Sequence, residues 1–271
     1  MYNVLILGST GMLGQALIEA GKDYDIRLFT GCRDGSCNFF VDALNTEDSL
    51  SRLSDFIEQN EIDVIINAIG MLVEDSRLSL KHAIQVNGFF PLELGKLCRA
   101  FGVELIHVST DCVYSGSSGP ITREQIPDPK DEYGVSKYIG EFVSDIAMVL
   151  RTSIIGLDNS KNPQGLLNWV LSQENGKIKG YINAYWSGLT TKYLANFIYK
   201  NIILSRNYKT GLHNVATSCI SKFELIKKIV YHGGLDIDVE GIKLDNEIDK
   251  CLISDFKDIS DIDSQIRQIF E

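Results

Sequence analysis

The passage from Val4 to Gly14, VLILGSTGMLG, limits the fold more than any other part of the chain. Val4-Leu5-Ile6-Leu7 is an unbroken apolar run, which predicts a strand buried on both faces. Gly8 interrupts it, and from Gly11 onward Leu13, Ala16, Leu17 and Ala20 fall on one helical stripe. A strand that runs through a glycine turn into a helix points the helix N-terminus, with its free N–H groups, at whatever lies above the strand. The three glycines have separable tasks. Gly8 permits the tight turn, Gly11 lets backbone N–H groups approach a pyrophosphate, and Gly14 allows helix and sheet to pack closely. The spacing is G-x-x-G-x-x-G, and it assigns Gly8, Ser9, Thr10, Gly11, Met12 and Leu13 to a dinucleotide-binding turn.

The rest of the chain continues the pattern. Short apolar runs at 26–29, 64–66, 105–108 and 148–150 read as further buried strands. Helical periodicity covers 46–60, 133–145 and 78–100, the last interrupted near Gly88 and Pro91. Alternation of this kind predicts an α/β fold, a Rossmann-type doubly wound parallel sheet, over residues 1–155. After 155 the alternation loosens. Helices near 164–173, 190–203 and 221–231 and strands at 177–180 and 211–215 predict a smaller C-terminal α/β substrate lobe over 156–271, with the chain free to interleave between the two. Ser221-x-x-Glu224 is a capping box that opens one of these helices.

Bulk properties narrow the function. A net charge of −10 argues against a nucleic-acid or acidic-membrane binder, yet leaves room for an anionic small ligand held by local N–H groups and a few cations. The six cysteines form no C-x-x-C pair and accompany no histidine cluster, so they read as reduced thiols in a cytoplasmic protein with no metal site. The N-terminal apolar run is too short for a secretion signal, and no window approaches a membrane span.

The residue that chooses between NAD and NADP is expected after the second strand. There the chain reads FTGCRDG, with Thr30 ending the strand and Arg33 following, a cation suited to a 2′-phosphate, although Asp34 is adjacent. This favours NADPH and leaves NADH open. Asp42 and Ala43, beyond the third strand, are placed beside the adenine. A nicotinamide in turn gives a task to Tyr133 and Lys137, four apart in DEYGVSKYIGE. When hydride reaches a carbonyl, the oxygen needs a proton, and a neighbouring ammonium lowers a phenol's pKa towards neutrality. Ser109 and Thr110, at the end of a central strand, supply hydroxyls to polarise the carbonyl.

Taken in order, GSTGMLG, NAIG (67–70), VNGFFP (86–91), STDCVYSG (109–116), YGVSKYIGE (133–141) and LRTSIIG (150–156) resemble the extended short-chain dehydrogenase/reductases, and within them the dTDP-4-dehydrorhamnose reductase family. WSGLTT and GLHNVATSCISKFEL resemble that family's later segments. The resemblance implies reduction of the 4-keto group of a nucleotide-linked 6-deoxy sugar, in cell-surface polysaccharide precursor synthesis. It implies Thr110, Tyr133 and Lys137 as the catalytic set. Asn67, Ala68, Ile69 and Ser109 are then expected along the cofactor, and Asn87, Thr152, Ser153 and Trp186 near the sugar. Arg151, Lys161, Lys177, Lys179 and Lys192 are candidate cations for the sugar nucleotide's pyrophosphate, and a homodimer is compatible with the family.

Two departures fall where a sugar would lie: Cys112 stands where the family carries an aromatic, and the loop after the fourth strand reads GMLVEDSR. Two rival functions share the fold. One is a sugar-nucleotide epimerase or dehydratase. The other is a non-catalytic NADP-binding regulatory subunit resembling the beta subunit of methionine adenosyltransferase.

Overall fold

The computed structural model describes residues 1–159, 163–173 and 176–271. Along the first half the elements are β1 (Tyr2–Leu7), α1 (Met12–Gly21), β2 (Ile26–Cys32), β3 (Phe39–Phe40), α2 (Thr46–Asn60), β4 (Val64–Asn67), α3 (Val73–Leu78), α4 (Leu80–Ala83), α5 (Phe90–Phe101), β5 (Glu104–Thr110), α6 (Glu132–Gly140) and β6 (Met148–Thr152). Then come β7 (Ile154–Ile155), α7 (Leu166–Leu171), β8 (Gly176–Tyr181), β9 (Ala184–Trp186), β10 (Leu189–Thr190), α8 (Thr191–Phe197), β11 (Gly211–Asn214), β12 (Ile220–Ser221), α9 (Lys222–His232), β13 (Ile237–Ile242), β14 (Ile248–Asp249) and α10 (Ile262–Phe270).

Seven strands form one sheet in the order β11-β6-β5-β4-β1-β2-β3, with every neighbouring pair parallel. This is the doubly wound order, reversing between β1 and β4. Strand β1 shows why an all-apolar run is needed there. Val4 and Ile6 enter a core with Leu13 and Leu17 of α1 and Leu194 of α8, while Leu5 and Leu7 enter a second core with Leu53 of α2 and Leu94 of α5. Helices therefore cover both faces. Segments after residue 155 also take part: β11 extends the sheet beside β6, and the Tyr199 hydroxyl, in the turn after α8, donates to the Leu17 carbonyl at 2.9 Å. A third core joins Leu167, Ile178, Trp186, Leu225, Ile229 and Ile266, all from segments after residue 155. Among the described residues no helix is long and apolar enough to cross a membrane.

Three expectations change. The second strand does not end at Thr30 but continues through Gly31 and Cys32, because those residues pair with β1 and β3. The segment near Gly88 and Pro91 is not a break. A widened helical turn over 84–89 runs directly from α4 into α5 with helical backbone throughout, so Pro91 is carried inside one continuous helix. Four of the six cysteines are not free thiols: Cys32–Cys37 and Cys219–Cys251 are disulfides with Cα separations of 5.8 and 5.5 Å, leaving Cys98 and Cys112 unpaired. Cys32–Cys37 closes the loop after β2, whereas Cys219 and Cys251, 32 residues apart, meet because β12 and β14 flank β9, which linear spacing does not reveal.

Candidate active site

The carboxyl ends of the central strands line up in register, Leu7 with Asn67 and Thr110 with Thr152. The turns that leave these strands therefore meet along one edge, where parallel α/β sheets bind ligands. Gly8 has φ +83°, and a Cβ there would lie 2.9 Å from the Ala68 backbone. Gly14 is tighter still, since a Cβ would fall 2.2 Å from the Gly8 carbonyl oxygen. The glycine pattern thus wedges α1 against the turn. No side chain caps the N-terminus of α1.

A cavity of about 550 Å³ opens beside this turn, lined by Gly8, Thr10, Gly11, Arg33, Asp42, Ala43, Ala68 and Ile69, together with Cys32, Val41 and neighbouring residues. Eight of the positions expected along a cofactor therefore share one groove. The others are placed differently. Ser9 is buried and donates to the Gly31 carbonyl at 3.1 Å, and Leu13 points into the core. Asn67 is fully buried, accepting from the Ile69 N–H at 3.1 Å and meeting His107 Nδ1 at 3.1 Å. It shapes the groove wall from behind. Burial, followed by the nearby Lys137 charge, holds the His107 imidazole well below its ordinary pKa, so it stays neutral.

Thr110, Tyr133 and Lys137 do not line this groove; they stand on β5 and α6. Tyr133 lies in the first turn of α6, whose N-cap Asp131 accepts from the Gly134 N–H at 2.7 Å. A Cβ on Gly134 would approach the Cys112 carbonyl oxygen to 2.3 Å, so the glycine is what lets α6 press onto the turn after β5. That contact puts the Thr110 hydroxyl near enough to the Tyr133 phenol to pull its pKa down. Thr110 accepts from the Cys112 N–H at 3.1 Å and donates to the Asp111 carboxylate at 3.2 Å. One turn along α6, Lys137 is buried and donates to the Val108 carbonyl at 2.7 Å. Burial lowers its pKa to about 8, against the opposing pull of Glu141. The phenol is shifted upward, first by burial and then by Cys112, with Thr110 pulling the other way. Sequence reasoning expected the ammonium to lower the phenol; here burial dominates, and Tyr133 is a protonated donor at neutral pH.

Gly134→Ala should force α6 away from Cys112, costing roughly 1–3 kcal/mol of stability as an overpacked contact. Denaturant unfolding of the variant checks this, and an unchanged midpoint would show the close approach to be dispensable.

Several expected substrate contacts turn inward. Asn87 is fully buried: its amide accepts from the Met71 N–H at 2.8 Å and donates to the Met71 carbonyl and to Ser136 Oγ at 3.1 and 2.9 Å. It ties the loop after β4 to α6 and has no group left for a sugar. Trp186 is 2% exposed and belongs to the third core. Ser109 donates to Glu141 Oε1 at 2.6 Å and does not line the groove. Arg151 is 1% exposed and forms a two-pronged ion pair with Glu141 at 2.9 and 2.7 Å while donating to the Tyr114 hydroxyl at 2.6 Å. It is a structural cation with nothing to offer a pyrophosphate. Thr152 is buried, and Ser153 is half-buried at the end of β6. Lys177 faces Asp238 and Glu240, Lys192 donates to the Gln268 carbonyl, Lys179 is exposed on β8, and Lys161 lies outside the described residues.

Two cations that sequence reasoning missed sit closer. Lys222 Nζ lies 4.9 Å over the Trp186 ring, with its pKa lowered by burial and then raised by Asp111 and Cys112. Lys250 packs at Gly116, in the loop after β5, where a glycine Cβ would meet its side chain at 3.1 Å. The capping box at Ser221 was the only sequence signal near either.

The RmlD substrate binding domain model matches residues 2–248. The chain belongs to that family. Among curated relatives, the spore coat polysaccharide biosynthesis protein SpsK of Bacillus subtilis is 26% identical, over 87% of this chain and 81% of its own. Methionine adenosyltransferase 2 subunit beta of Rattus norvegicus is 31% identical over 51% of this chain, which spans 41% of that subunit's length. Some reductase-named relatives are likewise spanned only to 48–60% of their length. Among solved structures, the dTDP-4-dehydrorhamnose reductase of Bacillus anthracis in complex with NADP superposes with a TM-score of 0.81 at 21% identity, covering 100% of this chain and 99% of that one. That last likeness speaks for the fold.

Proposed function

We propose that this chain reduces the 4-keto group of a nucleotide-linked 6-deoxy sugar, with a reduced nicotinamide dinucleotide as the hydride source, as a step towards a surface polysaccharide. The observation that carries the reading is the packing of α6 on the end of β5, which sets Tyr133 and the buried Lys137 beside Thr110 at the strand edge that also carries the glycine turn and its groove. Membership of the reductase-containing family supports it. The bound dinucleotide supplies the hydride; the protein supplies orientation and the proton.

In this reading the backbone of Gly8 and Gly11 seats the pyrophosphate, and Arg33 takes a 2′-phosphate, favouring NADPH over NADH. Asp34 does not compete, because its carboxylate is turned back onto the Ser36 N–H and hydroxyl at 3.0 and 2.6 Å. Thr110 and Tyr133 donate hydrogen bonds to the keto oxygen. As negative charge grows on that oxygen, Tyr133 transfers its proton, and the Lys137 ammonium stabilises the phenolate left behind. Ser153 stands at the sugar's side, and Lys222 with Lys250 faces the diphosphate.

The pKa shifts set the pH profile. Tyr133 stays protonated through the neutral range, whereas Lys137 is charged below about 8 and neutral above it. The kcat/KM for reduction should therefore be flat in the neutral range and fall as pH rises through about 8. A profile still flat near pH ~10, where an ordinary lysine titrates, would show that Lys137 does not support the phenolate.

A further inference from the structure

The Cys32–Cys37 disulfide closes a six-residue loop whose first interior residue is Arg33. Cys32 is the last residue of β2 and lines the same groove as Gly8, Thr10 and Gly11, with Arg33 beside it. Among the described residues, Arg33 makes no hydrogen bond or ion pair, and the one carboxylate in its loop, Asp34, is engaged by Ser36. The disulfide also touches the phosphate turn, since Ser9 Oγ lies 3.0 Å from Cys37 Sγ. The base of the loop has a separate anchor: Asn38 Oδ1 accepts from the Thr30 N–H and hydroxyl at 2.9 and 3.0 Å. Cys37 is half-buried in an otherwise exposed stretch, within reach of a small thiol.

These contacts couple three things: the cation facing the groove, the turn that seats the pyrophosphate, and a covalent bond that can be opened. We infer that the Cys32–Cys37 disulfide is a specificity determinant for the dinucleotide. Closed, it pins Arg33 at the groove wall, where it selects a 2′-phosphate; opened, it frees residues 33–37 while the Thr30–Asn38 anchor keeps the sheet intact. Opening is thiol–disulfide exchange with a dithiol. The Cys32–Cys37 S–S bond breaks, each sulfur gains one proton, and the dithiol is oxidised to its own disulfide. A freed loop must be ordered again on binding, so the cost falls on the ligand whose phosphate needs Arg33 in place. The inference rests on the dinucleotide reading of this groove.

The test is binding, which does not depend on knowing the sugar. Dissociation constants for NADPH and NADH are measured by fluorescence titration for the oxidised chain, for the chain in dithiothreitol, and for Cys32→Ser/Cys37→Ser. A Cys219→Ser/Cys251→Ser variant isolates the first disulfide. Opening the Cys32–Cys37 bond is expected to lower the NADPH-over-NADH preference at least fivefold, in Cys219→Ser/Cys251→Ser as well. Dithiothreitol is expected to leave Cys32→Ser/Cys37→Ser unchanged. A preference that is the same in oxidised, reduced and serine forms overturns the inference while leaving the cofactor reading intact. Binding of neither dinucleotide in any form overturns both.

Discussion

Replacing Tyr133 by phenylalanine should lower turnover by roughly two to four orders of magnitude, the usual scale of a positioned acid or base. The substitution removes one oxygen and keeps the ring, so α6 should still pack on the turn after β5 and the dinucleotide should bind with near-normal affinity. The loss belongs in kcat more than in KM, because the proton is needed only as charge develops on the keto oxygen. Thr110→Val should fall in the same direction by a smaller factor, since it removes the hydroxyl that lowers the phenol's pKa but not the proton donor. Near-normal turnover in Tyr133→Phe would take the phenol out of the mechanism.

Glu141→Gln should cost roughly 3–5 kcal/mol of unfolding free energy, because it strands a buried guanidinium. Arg151 and Glu141 are 1% and 2% exposed at their side chains, and the same carboxylate accepts from Ser109. Water cannot replace the missing charge there. The substitution also reaches the site, since Glu141 is what raises Lys137 against the effect of burial. Its loss should move the alkaline fall in kcat/KM to lower pH. The two readouts separate a purely structural pair from one that also tunes the lysine. Denaturant unfolding within about 1 kcal/mol of wild type would mean that the pair does not act as a buried ion pair.

The sheet was legible because a strand covered by helices on both faces must be apolar at every position, and the buried stretches of β1 and β4 nearly are. The glycine turn was legible because it comes directly after such a strand. What could not be read was the direction in which a side chain points within the site. Ser109 and Thr110 are neighbours on β5 and face opposite ways, as strand geometry requires. Thr110 meets Tyr133, while Ser109 meets Glu141. Arg151 looked like a phosphate ligand because its partner Glu141 lies ten residues away on another element. Trp186 and Asn87 were placed near a sugar by motif order, which does not register burial. The disulfides are not legible because one depends on the loop after β2 and the other on two short strands flanking β9, and Lys222 and Lys250 because lysine near a helix start or a short strand is ordinary in sequence.

The most direct test of the central claim tracks the hydride. The chain is incubated with NADPH carrying deuterium at the transferring position of the nicotinamide and with a nucleotide-linked 4-keto-6-deoxy sugar, and the product is read by NMR. The account predicts one deuterium on the new carbinol carbon for each dinucleotide oxidised. Conversion of a sugar nucleotide with no net loss of NADPH, or tight binding of NADPH with no turnover across a panel of keto sugars, would contradict it.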